Sequence, residues 1–216
     1  MILTVFLDGL RPDQVTTQHT PNLVRLIKKG VRFLNHHAVF PTETRVNVAS
    51  FVTGRNPGFH GIVDNTFRVY DRGTPMEVNT GKRQCLAQLD EESGGRLLLA
   101  KSLGEILAEH GKKMIAVGVG SDGNAFLHNH KAEKTGGLVI HPEFAIPAEE
   151  EEEIARRVGA WPLQGYLTKD EYTMPRQSCS TTSSQSTILQ WSLSGSPSLT
   201  APNTRPTSPP IKPSKA

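Results

Sequence analysis

Apolar residues along the chain fall into short runs of two kinds. Residues 2–7 form a continuous apolar run closed by Asp8-Gly9, the length and composition of a buried parallel strand that delivers an acid at its C-terminal edge. Residues 114–119 and 137–140 read the same way. Elsewhere the spacing is helical. Thr20-Pro21 predicts a helix start, with Leu23, Leu26 and Ile27 as its apolar face and Gly30 as its stop. Residues 47–53 are short, small and apolar and read as the first turns of a helix ending at Gly54. Residues 100–110 carry Leu103, Ile106 and Leu107 on one face, with Gly111 as the stop. Five glutamates from Glu149 to Glu153 open a helix running to about Val158, where acids suit the positive N-terminal end. Residues 31–40 read as extended, and the stretch from Arg55-Asn56-Pro57-Gly58 to about Gly95 as loop-rich. Strands alternating with helices predict an α/β fold, a mostly parallel sheet covered on both faces. In such sheets ligands bind at the C-terminal ends of the strands.

Beyond about Pro162 the pattern collapses. Residues 176–216 hold 11 Ser, 6 Thr and 6 Pro, so 23 of 41 are of three loop-forming types. Such a stretch buries too little surface to offset its ordering entropy, and disorder is expected over 163–216. The charge balance divides at the same place. The whole chain has 24 Lys+Arg against 21 Asp+Glu, net +3, but residues 176–216 hold four of the basic residues and none of the acidic ones. Residues 1–175 therefore carry 20 against 21, net −1. This part lacks the Lys/Arg clustering of an electrostatic nucleic-acid footprint, so no nucleic-acid-binding module is expected. No run approaches the roughly 18 apolar residues of a membrane span, and no signal peptide is evident at Met1. Cys85 and Cys179 are too few for a disulfide framework and have no metal-ligand spacing. A reducing, cytoplasmic compartment is the default expectation.

Single residues leave the chemistry open. Asp8 at a strand end is more often a turn former, and a threonine hydroxyl near a helix start is more often a cap. The same helix-start geometry serves a phosphoryl-accepting nucleophile, because free backbone N–H groups and the helix dipole stabilise an anion. His36, His37, His60, His110, His128, His130 and His141 show no firm metal-site spacing and read as surface or satisfied core histidines. The glutamate run reads as a solvated helix face.

The combination is more specific. Phe6-Leu7-Asp8-Gly9-Leu10-Arg11-Pro12, Thr20-Pro21-Asn22-Leu23, Phe40-Pro41-Thr42-Glu43-Thr44-Arg45-Val46-Asn47, Val52-Thr53-Gly54 and His60-Gly61-Ile62-Val63-Asp64-Asn65 follow one another at close spacing. This set resembles the type I phosphodiesterase/nucleotide pyrophosphatase family of the alkaline phosphatase superfamily, tightly over about the first 65 residues and loosely to about Trp161. The resemblance implies a partial alkaline-phosphatase-like fold, with residues 1–162 as the N-terminal part of the domain. It also implies a metal-dependent hydrolase acting on small phosphodiester or nucleotide substrates with two divalent ions, expected to be zinc. Carried over by motif position, Asp8 is a zinc ligand, Thr44 the nucleophile and itself metal-bound, and Asn65 a holder of phosphate oxygens. Arg45 stands where relatives more often have Phe. A phosphomonoesterase- or sulfatase-like relative and a non-catalytic phosphate-binding fragment are the alternatives.

Of the ligands the resemblance implies, only the early Asp is found, so the chain is expected to retain ligands for at most one ion and to be inactive as written. A change of reading frame offers an explanation. Read from the third base of the Gln190 codon, with free choice of synonymous codons, residues 190–204 can spell VVSLWLSEPDRTQH, an apolar strand followed by a Glu-Pro-Asp-x-x-x-His metal pair of the family's kind. The frame is accordingly expected to shift between residues 161 and 169.

Overall fold

A computed structural model describes residues 1–71, 74–118, 120–158 and 187–194. The chain begins with β1 (Ile2–Asp8) and α1 (Pro21–Ile27), followed by α2 (Thr44–Thr53) and α3 (Pro57–His60). A hairpin of β2 (Thr66–Asp71) and β3 (Thr74–Asn79) leads to α4 (Arg83–Glu92) and α5 (Leu103–Glu109). Next come β4 (Lys113–Gly118), α6 (Asp122–His128), α7 (Ala132–Thr135) and β5 (Leu138–His141). The last elements are β6 (Phe144–Ile146), α8 (Glu149–Val158) and β7 (Thr187–Ser194).

The main sheet has the order β1-β7-β4-β5-β6, in which β1, β7, β4 and β5 are parallel and β6 is an antiparallel edge. Strand alternation explains how it is covered. Met114 and Ala116 of β4 point into the larger core with Val46, Val52, Leu86 and Leu127, whereas Ile115 and Val117 join a smaller cluster with Ile140 and Ile154 of α8. Both faces of the β4–β5 region are therefore packed, as expected for parallel strands. No helix among the described residues is long and apolar enough to cross a membrane.

Several local expectations hold. The helix ending at Gly54 is present, and that glycine closes α2 at φ 63°. Ser102 opens α5 with a capping box, its hydroxyl accepting from Glu105 N while the Glu105 carboxylate accepts from Ser102 N, so the helix starts at Leu103 rather than 100. In α8 the acids occupy the first turn, Arg156 and Arg157 the last, and Glu153 pairs with both arginines.

Other expectations are corrected. The first strand forms but is not buried: Ile2 is 64% exposed, Leu3 52% and Val5 45%. Among the described residues it is an edge strand paired to β7 alone, and its other face packs, with Phe6 edge-on to Phe51 at 4.7 Å between ring centroids. Residues 31–40, read as extended, contain no helix and pair with no described strand, and Val31, Phe33, Leu34 and Phe40 are exposed. The stretch read as loop-rich contains the β2–β3 hairpin and α4, whose Val78 and Leu86 are buried. Finally, β7 lies inside the segment expected to lack structure. Ile188, Leu189, Trp191 and Leu193 are interspersed with polar residues there, a composition that suits a strand, and its backbone fills the position between β1 and β4. The rest of 163–216 lies outside the described residues.

Candidate active site

The site forms where β1 ends. Asp8 is its last residue, and Gly9 follows at φ 75°, a left-handed conformation that turns the chain away and leaves the carboxylate at the sheet's C-terminal edge. Thr44 is the first residue of α2, 36 positions later in sequence, and its Oγ1 donates to Asp8 Oδ2 at 3.3 Å. The hydroxyl is thus not a cap. Glu43 holds the capping position, makes no side-chain cap bond, and instead accepts from Asn65 Nδ2. Asp8, Thr44 and Asn65 are therefore brought together, with Glu43 as the bridge to Asn65.

Three further residues fix this arrangement, and their roles were not read from the sequence. Asn47 sits one turn into α2 and braces the loop before it: its Oδ1 accepts from Val39 N at 2.9 Å, and its Nδ2 donates to Glu43 O at 2.9 Å and Pro41 O at 3.4 Å. Thr80, fully buried after β3, donates through Oγ1 to Asn65 O at 2.7 Å while its own N–H donates to the same carbonyl at 2.9 Å. Arg45 Nε donates to Thr80 Oγ1 at 2.8 Å, which closes a loop from α2 through the hairpin to Asn65. The signal for Asn47 was its place in the Thr44-Arg45-Val46-Asn47 run; Thr80 has no local sequence signal, because its role arises from the hairpin bringing it back.

His60 is a satisfied core histidine. It is fully buried, its Nδ1 accepts from Ile62 N at 3.2 Å, and its Nε2 therefore carries the proton given to Ser50 Oγ at 2.8 Å. Burial pushes its pKa down to about 4, so the ring is neutral. It ties α2 to the turn that carries Asn65. His141 is likewise engaged, Nδ1 with Glu143 N at 3.2 Å and Nε2 with Gly120 O at 3.3 Å, and the exposed His110 contacts Ile106 O at 2.8 Å through Nδ1. Burial also lowers the pKa of His130 to about 4, with adjacent Lys131 adding to the effect.

Two hard oxygens, one from Asp8 and one from Thr44, are the donor type a divalent cation takes. Among the described residues, however, no group of three or more His, Cys, Asp or Glu side chains converges to hold a metal ion. The described residues thus do not complete a metal site. Asn65 Oδ1 is buried without a hydrogen-bond partner among the described residues, while Nδ2 has spent one of its two hydrogens on Glu43.

A mostly parallel α/β sheet ends its first strand in an acid that is hydrogen-bonded to a hydroxyl opening the neighbouring helix, so both oxygens lie at the strand C-termini. The chain belongs to the type I phosphodiesterase / nucleotide pyrophosphatase family, whose sequence profile matches residues 2–187. It is 38% identical over 84 residues to an uncharacterized pyrophosphatase/phosphodiesterase of Schizosaccharomyces pombe, a segment covering 39% of this chain and 17% of that protein. It is 43% identical over 74 residues to a bis(5'-adenosyl)-triphosphatase of Xenopus laevis, covering 34% and 16% respectively. The matched segments thus span about one sixth of these relatives' length.

Proposed function

We propose that the chain carries the nucleophile half of a metal-dependent hydrolase of phosphodiester or pyrophosphate bonds, with a small nucleotide or phosphodiester as substrate. The observation that carries the reading is the 3.3 Å contact of Thr44 Oγ1 with Asp8 Oδ2 at the N-terminus of a ten-residue helix. Thr44 Oγ, its proton released to solvent, attacks phosphorus; a new P–O bond forms and the bridging oxygen leaves with its electron pair and takes up a proton from solvent, after which water cleaves the phosphoryl-threonine, one of its hydrogens restoring the Thr44 hydroxyl and its oxygen staying on phosphorus. The backbone N–H groups of the first turn of α2 face the developing charge, and the second hydrogen of Asn65 Nδ2 is available to an equatorial oxygen.

An alkanol hydroxyl is too weak an acid to give its proton to a carboxylate at neutral pH. The two divalent ions expected for this family, taken to be zinc, would supply the Lewis acidity that lowers that pKa and offsets phosphoryl charge. Asp8 and Thr44 offer oxygens toward at most one of them, so the 216-residue chain is proposed not to turn over as it stands. The residues after about 162 are proposed to be read out of frame, and the coding DNA tests this: stops in the shifted frame, or loss of its Asp and His codons, refute it.

The second reading, a non-catalytic phosphate-binding fragment, is favoured by the lack of a converging ligand set among the described residues. Hydrolysis of a chromogenic nucleotide ester with added zinc separates the two, for this chain and for one whose frame is restored. The enzyme reading expects zinc-dependent turnover of the restored chain that is lost on Thr44→Ala.

A further inference from the structure

The near balance of charge over residues 1–175 conceals one local excess. From Gln14 to Thr42 the chain holds no Asp or Glu, and four cations, Arg25, Lys28, Lys29 and Arg32, fall within eight residues. All four are exposed, and among the described residues none of them pairs with a carboxylate. Large apolar side chains are interleaved with them. Leu26 is 66% exposed on α1, and in the loop that follows Val31 is 81%, Phe33 77% and Leu34 82% exposed. Cations near a helix C-terminus suit its dipole, which accounts for Lys28 and Lys29. It accounts neither for Arg32 nor for apolar side chains left in water between charges. Single exposed apolar residues are ordinary, but four within nine positions, set among cations, mark an interaction surface.

We propose that residues 25–34, the end of α1 and the loop after it, dock on an anionic phospholipid surface, with the cations at the headgroups and Leu26, Val31, Phe33 and Leu34 entering the acyl boundary. Such a surface uses both halves of the patch. Lys and Arg reach the headgroups on long stems, so their charges stay at the interface while neighbouring apolar side chains go deeper. Exposures near four fifths belong to side chains that project from the molecule, the shape that enters a lipid layer; a peptide or a small ligand needs a groove with walls. A nucleic acid would use the cations but leave Leu26, Val31 and Leu34 without a role, since its backbone offers phosphates and its bases stack on aromatic rings. The inference is independent of the hydrolase reading, because it uses none of Asp8, Thr44 and Asn65.

Flotation of the 216-residue chain with lipid vesicles at low ionic strength tests this, because vesicle-bound protein rises while self-associated protein sinks. Vesicles of equal parts phosphatidylserine and phosphatidylcholine are expected to bind it roughly a hundredfold more tightly than phosphatidylcholine alone. Lys28→Glu with Lys29→Glu is expected to weaken that binding at least about tenfold, and added salt to weaken it for the wild-type chain. Phe33→Ser with Leu34→Ser keeps every charge and is expected to cost about tenfold as well. Lys112→Glu with Lys134→Glu makes the same change of net charge at exposed lysines elsewhere and is expected to cost less than about twofold. Matching circular dichroism establishes that each variant is folded. Should a variant not fold, Phe33→Trp decides: its emission is expected to shift to the blue, relative to the wild-type chain, on the anionic vesicles and not on the neutral ones. No anionic preference, equal losses from the two lysine pairs, binding unchanged by Phe33→Ser with Leu34→Ser, or no shift from Phe33→Trp overturns the inference. So does tighter binding to an RNA homopolymer than to the vesicles with the same dependence on Lys28 and Lys29, which would make the patch a nucleic-acid contact.

Discussion

Asn47 braces the loop before Thr44 with three hydrogen bonds, two donated and one accepted, and one buried histidine braces the turn before Asn65. At this scale the positions of Asp8 and Thr44 were legible in the sequence. Asp8 after an apolar run and Thr44 at a helix start both stand where the motif order put them, and they touch. Thr80 was illegible, because its contact with Asn65 joins positions 15 apart through a hairpin that the local pattern did not announce. The neutral state of His60 has a measurable consequence. Its folded pKa of about 4 lies below the ordinary 6.5, as does that of His130, so the unfolded chain binds more protons than the folded one between those values. Stability from these rings is therefore fully present above pH 6.5 and lost as the pH falls toward 4. Between pH 7 and pH 5 the loss is expected to be about 2 kcal/mol per histidine. Chemical denaturation at the two pH values checks this. His60→Gln is expected to flatten the dependence, and an unchanged pH slope in that variant would assign the effect elsewhere.

Elements were legible when their own residues determine them. A proline-led start gave α1, a closing glycine gave the end of α2, and an acid-led charge run gave α8. The hairpin, α4, α6 and β6 were not, because their apolar residues are few and are buried by packing rather than marked by periodicity. The start of α6 shows how tightly these unread elements hold the site. A Cβ at Gly123 would meet Thr80 O at 2.2 Å and Gly81 C at 2.7 Å, both backbone atoms that cannot swing aside. Gly123→Ala must push α6 away from the turn carrying Thr80, and with it Arg45 and Asn65. We expect a loss of about 1–3 kcal/mol in the unfolding free energy from such overpacking. A thermal melt as stable as wild type would show that this contact is not made.

Among the described residues the α/β sheet has one covered end, at β4 and β5, and one uncovered end, at β1. β4 and β5 are packed on both faces, yet β1 at the edge shows Ile2, Leu3, Val5 and Leu7 at its surface, with Val31, Phe33, Leu34 and Phe40 exposed in the loop after α1. Apolar surface on an edge strand is a template for association. The chain is expected to self-associate at micromolar concentration and to bind the dye ANS, and sedimentation as a soluble monomer with cooperative unfolding would contradict that. The composition foretold none of this openness. Its low apolar fraction came from the Ser/Thr/Pro-rich end, whereas the exposure of β1 arises because the face carrying Leu3, Val5 and Leu7 is left uncovered among the described residues.

The central claim is that Thr44 is the nucleophile of a phosphodiesterase site of which this chain holds one half. The most direct measurement is zinc-dependent hydrolysis of a chromogenic nucleotide ester by the frame-restored chain, with and without Thr44→Ala. Loss of a nucleophile is expected to lower kcat by roughly a thousandfold or more while the 216-residue chain stays silent in both forms. Turnover that survives Thr44→Ala, or Thr44-independent turnover by the 216-residue chain, would contradict it.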